Sequence, residues 1–105
     1  MRHIAVSDLK RMQDEGEDFV LLDVREPNEV AHASIGPSLH IPMQQVPSRL
    51  NELDPAQPVV VFCHTGGRSL EVCDFLGQYD FSDVMNLVGG IAAWSQEIDP
   101  SVPTY

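Results

Sequence analysis

Positive charge is scarce in this sequence: six Lys and Arg residues stand against 16 Asp and Glu, for a formal net charge of -10. That balance excludes nucleic acid as a partner, because phosphate backbones are bound by a surplus of cations. The same field repels small anions, so an anionic substrate has to be drawn in by local backbone dipoles and a nearby Arg. Cysteine is scarce too. Cys63 and Cys73 are too few and too close for a disulfide framework, and their spacing fits neither a C-x-x-C redox pair nor a zinc knuckle. Both read as free thiols. His3, His32, His40 and His64 have no metal-ligand spacing, so no metal site is expected. Long apolar runs are missing as well, and the opening Met1 to Asp8 resembles neither a signal peptide nor a span. A cytoplasmic location without membrane contact is the default expectation.

What is present fits one folded unit. A chain of 105 residues, 43% hydrophobic and 21% charged, suits a single domain over 1–105 with one core. Phe19 to Val24, Val59 to Cys63 and Val84 to Val88 are short runs dense in apolar residues. Continuous rather than alternating apolar character predicts strands buried on both faces, as in a parallel sheet covered by helices. Ile4-Ala5 and Leu39 to Ile41 would complete five strands.

The intervening segments carry helix signals. Ser7 is placed to cap a helix from Asp8 to about Glu15, stopped by Gly16. Pro27 suits the first turn of a short helix through Val30, and a third helix is expected over Val46 to Leu53. A fourth begins near Arg68 or Ser69, with Val72, Phe75, Leu76 and Tyr79 at helical spacing on one face. Ile91 to about Glu97 is the last, and Asp99 to Pro103 reads as irregular. The fold class is therefore α/β, with ligands expected beyond the carboxyl ends of the strands.

The segment from Val59 to Leu70 is a strand, a glycine-containing loop and a helix start. A short connection of this kind aims several backbone N–H groups at one point beside the positive end of a helix. Gly66 and Gly67 permit the positive φ angles that such a curl requires. A thiol at its mouth, Cys63, is favoured in its charged form and becomes a nucleophile near neutral pH. The plainer reading of Cys63, a buried strand-end residue packed as a small hydrophobe, is outweighed by this setting. For Cys73, on an apolar helix face, core packing is the better reading. Arg68 sits where a helix start disfavours a cation, which points to loop bracing or anion binding rather than a solvated surface role. His64 and Thr65 line the loop and are placed to contact substrate. Asp23 and Arg25 are read as organisers of neighbouring loops, and Trp94 as a core residue.

Cys63, four residues, Arg68 and Ser69 resemble the active-site loop of rhodanese-type sulfurtransferases. The stretch Leu22-Asp23-Val24-Arg25-Glu26-Pro27, with Glu29, Ile35 and Ile41-Pro42, is similar to that family's first characteristic block. Asn86 to Trp94 resembles its last. The order of the three blocks and their spread across nearly the whole chain make the likeness strong. It implies a three-layer fold with a five-stranded, mainly parallel sheet flanked by helices. It also implies a catalytic Cys63, which takes sulfur from a small donor anion such as thiosulfate and passes it to cyanide, a thiol or a protein acceptor. His64, Thr65, Gly66, Gly67, Arg68 and Ser69 would form the substrate-binding loop, supported by Asp23 and Arg25, with no cofactor. Two departures stand out: Ala33 to Ser38 replaces the usual turn sequence before the third strand, and Asp80 stands where the family often has a helix-ending glycine. The alternatives are a regulatory binding module on the same fold and a related cysteine-dependent phosphatase, whose loops carry one more residue.

Overall fold

A computed structural model describes residues 1–105. The strands are β1 (Arg2–Ile4), β2 (Val20–Asp23), β3 (Leu39–His40), β4 (Val59–Phe62) and β5 (Val84–Leu87). They form one sheet in the order β1-β5-β4-β2-β3, and every pairing is parallel. The helices are α1 (Val6–Asp14), α2 (Pro27–His32), α3 (Gly67–Gly77) and α4 (Gly90–Glu97).

The continuous apolar runs divide between two cores by the period of a strand. Val60 and Phe62 join Leu21, Met85 and Leu87 on one face, packed with Leu9 and Met12 of α1 and Ile91 and Trp94 of α4. Val59, Val61 and Cys63 join Leu22 and Val84 on the other, packed with Val72, Cys73 and Leu76 of α3. Alternate residues of a strand point to opposite faces, so both faces of β4 need apolar side chains. The three layers follow from that pattern, and they put Cys63 on the α3 face.

Several local expectations are corrected. Helix α1 starts earlier than expected, with Ala5 flanking it and Asp8 rather than Ser7 completing the cap, its carboxylate accepting from the Ala5 N–H at 2.9 Å. Helix α2 runs on to His32 before Ala33 adopts an extended backbone. The segment Val46 to Leu53 is not α-helical. It forms 3-10 turns at Met43–Gln45 and Pro47–Glu52, because Pro47 removes a donor and Arg49 leaves helical geometry at φ -117° and ψ 19°. Helix α3 buries Ser69, Val72, Cys73 and Leu76, whereas Tyr79 lies past its end, exposed and against the Phe75 ring. Asp80 does adopt the left-handed conformation, at φ 64°, that a glycine would take more readily. The irregular tail returns to the body: Val102 packs into the α1 and α4 core, and its carbonyl accepts from the Ser95 hydroxyl.

Candidate active site

Strand β4 delivers Cys63 to the carboxyl edge of the sheet, where α4 anchors the chain that follows. The Ile91 N–H donates to the Cys63 carbonyl at 3.0 Å, and the Ala92 N–H to the His64 carbonyl at 3.1 Å. With these carbonyls turned toward α4, later N–H groups of the loop turn toward the sulfur. Gly66 donates to Cys63 Sγ at 3.1 Å and the Ser69 N–H reaches it at 3.4 Å. Gly66 has φ +124° and caps the start of α3. Gly67 differs from expectation: it is already the first residue of the helix and needs no positive φ.

This anchoring depends on Gly90, whose φ is +56° and whose position leaves no room for a side chain. A Cβ there would lie 2.5 Å from the carbonyl oxygens of both Cys63 and His64. We therefore expect Gly90→Ala to cost about 2–4 kcal/mol in chemical denaturation, through strain and displacement of backbone rather than of a flexible side chain. Gly36→Ala, which meets nothing within 4 Å, is the matched control.

Burial pushes the Cys63 thiol up, but the Ser69 hydroxyl and the backbone N–H groups of Ser69, Gly66 and Thr65 outweigh it, and the net shift is downward. The Ser69 hydroxyl lies 2.6 Å from Asn86 Oδ1, 3.1 Å from the Gly66 carbonyl and 3.4 Å from the sulfur. One hydroxyl proton cannot serve all three. Donation to Asn86 leaves Ser69 free to accept from the neutral thiol, and rotation toward the sulfur stabilises the thiolate. Asn86 thus positions the residue that touches the nucleophile.

Arg68 does not stand free at the mouth. Its guanidinium forms two bonds to the Glu29 carboxylate, at 2.6 and 2.9 Å. Arg68 holds the Glu29 carboxyl down at about 2, against partial burial that would raise it, and the Glu26 N–H and Tyr105 hydroxyl add to the lowering. Tyr105 donates to Glu29 Oε2 at 2.8 Å and accepts from Arg25 at 3.0 Å. Its ring stacks on His64 with centroids 4.1 Å apart. His64 is consequently half-buried under the tail, while Thr65 is exposed.

Asp23, at the end of β2, and Arg25 are both fully buried. Arg25 binds the Asp23 carboxylate at 3.0 and 2.7 Å and donates to the Ala33 carbonyl at 2.8 Å. Together these contacts tie the end of β2 to α2, the helix that carries Glu29. Sequence reasoning singled out the loop and this pair but gave no role to Asn86 or Glu29 and passed over Tyr105. Asn86 had a signal, a polar residue inside an otherwise apolar strand. Tyr105, a lone aromatic in an irregular tail, had none.

Cys73 sits fully buried on α3, and burial, with the neighbouring Asp74, pushes its thiol up to about 12. It stays protonated at neutral pH. Cys73→Ala is expected to leave alkylation of the remaining thiol unchanged and to lower stability by about 1 kcal/mol, through the small cavity left in the α3 core. Thiol counting before and after unfolding, with a denaturation curve, checks both.

Fold and site define a class: a parallel α/β sheet whose central strand ends in a thiol cradled by loop N–H groups, under the first turn of a helix. The chain belongs to the rhodanese-like domain family, whose model matches residues 5–97. It is 40% identical over 86 residues to a sulfurtransferase of Allochromatium vinosum, covering 82% of this chain and 80% of that protein. It is 38% identical over 112 residues to the chloroplastic rhodanese-like/PpiC domain-containing protein 12 of Arabidopsis thaliana, spanning all of this chain but only 38% of that protein. The crystal structure of a rhodanese-like domain protein from Staphylococcus aureus superimposes with a TM-score of 0.87 at 28% identity, over 100% of this chain and 99% of that one.

Proposed function

We propose that this chain is a sulfurtransferase that carries sulfane sulfur on Cys63. The observation that carries the reading is the pair of N–H bonds from Gly66 and Ser69 to Cys63 Sγ, a cradle suited to a thiolate and to the terminal sulfur of a persulfide. The Allochromatium relative, a sulfurtransferase matched along most of its length, supports the same reading.

In the proposed reaction the Cys63 thiolate attacks the outer sulfur of thiosulfate. A bond forms between the two sulfurs, the sulfur–sulfur bond of thiosulfate breaks, and its electron pair leaves with sulfite. The loop N–H groups then hold the persulfide until cyanide, a thiol or a protein acceptor takes the outer sulfur and returns the thiolate. This is covalent catalysis with electrostatic stabilisation by preset dipoles, and no cofactor takes part. Ser69 and Arg68 complete the loop, His64 and Thr65 line its approach, and Asp23 and Arg25 hold it in place. The reading takes residues 1–105 as a single domain acting in the cytoplasm. No helix is long and apolar enough to cross a membrane.

Intact-mass measurement tests this directly. Reduced protein incubated with thiosulfate should gain the mass of one sulfur atom and lose it to cyanide. Aryl phosphates should not be hydrolysed, because four residues between Cys63 and Arg68 leave few N–H donors for a phosphoryl group. Phosphatase turnover without sulfur loading would favour the phosphatase alternative. No loading from any sulfane donor and no hydrolysis would favour a binding module.

A further inference from the structure

The charges around the loop bear on which donors can approach Cys63. All six Lys and Arg side chains of the chain are committed to carboxylates: Arg2 to Asp83, Lys10 to Asp14, Arg11 to Glu15 and Glu17, Arg25 to Asp23, Arg49 to Glu52 and Arg68 to Glu29. Most of these pairs are exposed to solvent. The pair beside Cys63 is bidentate and partly buried, with the Glu29 side chain only 15% exposed. Tyr105 also holds Glu29 from a second direction. Arg68 precedes Ser69, whose N–H and hydroxyl both reach the sulfur, so its charge lies within electrostatic range of any group docked on Cys63. A dianion approaching this mouth meets a neutralised cation and, beyond it, a protein of net charge -10.

We propose that Glu29 is a specificity-determining residue that, by neutralising Arg68, turns the Cys63 site away from dianionic donors such as thiosulfate and toward persulfides whose organic part carries a positive charge. The proposal rests on the sulfurtransferase reading and narrows it: thiosulfate serves as a donor, but a poor one. With an ammonium-bearing persulfide the Cys63 thiolate attacks the outer sulfur, the new sulfur–sulfur bond forms, and the donor's own sulfur–sulfur bond breaks. The electron pair leaves on the donor thiolate, which the ammonium on the same molecule partly offsets. Glu29 stays ionised across any working pH, since Arg68 holds its carboxyl at about 2.

The test compares wild type with Glu29→Gln, a near-isosteric change that removes the negative charge and leaves the amide oxygen to accept from Arg68, while the amide nitrogen, which only donates, gives up the second Arg68 bond. Two readouts are taken at low ionic strength. The first is the ratio of Cys63 alkylation rates by iodoacetate and by iodoacetamide, which needs no sulfur transfer. It should rise about fivefold in Glu29→Gln, the size of one uncompensated charge near the sulfur in a largely aqueous setting. The second is kcat/KM for thiosulfate relative to the persulfide of cysteamine, which should rise about 25-fold, because thiosulfate carries two negative charges and the fivefold factor applies once for each. In the wild type, kcat/KM for thiosulfate should hold level or rise with added salt, a measurement that does not depend on the variant folding. An alkylation ratio that does not move, or equal changes with every reagent, would assign Glu29 to loop bracing alone and overturn the proposal. A fall in wild-type thiosulfate turnover with salt would overturn it too. If the alkylation ratio rises but no donor loads the wild type, charge selection by Glu29 stands and the sulfurtransferase reading falls.

Discussion

Cys63→Ser and Cys63→Ala proteins are expected to acquire no sulfur from thiosulfate, to release none to cyanide, and to remain folded. The loss should be complete rather than partial, because no second thiol can take over: Cys73 is fully buried and its thiol is pushed up to about 12. The fold should survive, because Ser69 keeps its bond to Asn86 without the sulfur. Intact-mass analysis of each variant beside wild type decides the point. Loading of either variant to the wild-type level would remove Cys63 from the mechanism. The same thiol has a pH signature. Its net shift is downward, so the wild-type alkylation rate should reach half its plateau below the ordinary thiol value of about 8.5 and fall away only at lower pH. A midpoint at or above that value would mean that burial, not the loop, governs the sulfur.

Breaking the buried Arg25–Asp23 pair should be severely damaging to stability. Arg25→Met leaves the Asp23 carboxylate buried without its partner, and also frees the Ala33 carbonyl and the Tyr105 hydroxyl. Removing one member of such a pair costs about 3–5 kcal/mol. The double change Arg25→Met with Asp23→Leu should recover much of that loss, because it removes the stranded charge together with its partner. Urea denaturation of the two variants separates the cases. If Arg25→Met costs under 1 kcal/mol, solvent reaches the pair and its burial is not what holds the end of β2 to α2.

Legibility in the sequence tracked the range of the interactions involved. The strands were readable because Val59 to Cys63 and its counterparts declare two-sided burial in a few consecutive residues. The loop was readable for a similar reason: Cys63, Gly66 and Ser69 act on one another across six positions. The α-helix expected over Val46 to Leu53 is absent because Pro47 and the Arg49 backbone decide the local geometry. The wider site was hidden by distance along the chain. Asn86 meets Ser69 across 17 residues, Glu29 meets Arg68 across 39, and Tyr105 meets Glu29 across 76. A cation at a helix start signalled that Arg68 served something, but only the fold could supply its partner.

The two amide bonds from α4 to the Cys63 and His64 carbonyls bear on how the loop behaves in time. A loop fastened at its back by a helix, and crowded there by Gly90, has little slack. It cannot open to admit a bulky reactant without breaking those bonds, nor close further around a small one. Empty and loaded states of Cys63 should therefore share nearly one backbone shape, and the reorganisation energy of the chemical step should be low because the dipoles are already aligned. Differences in rate among reactants then arise from how each approaches the mouth, not from any adjustment of the cradle behind it.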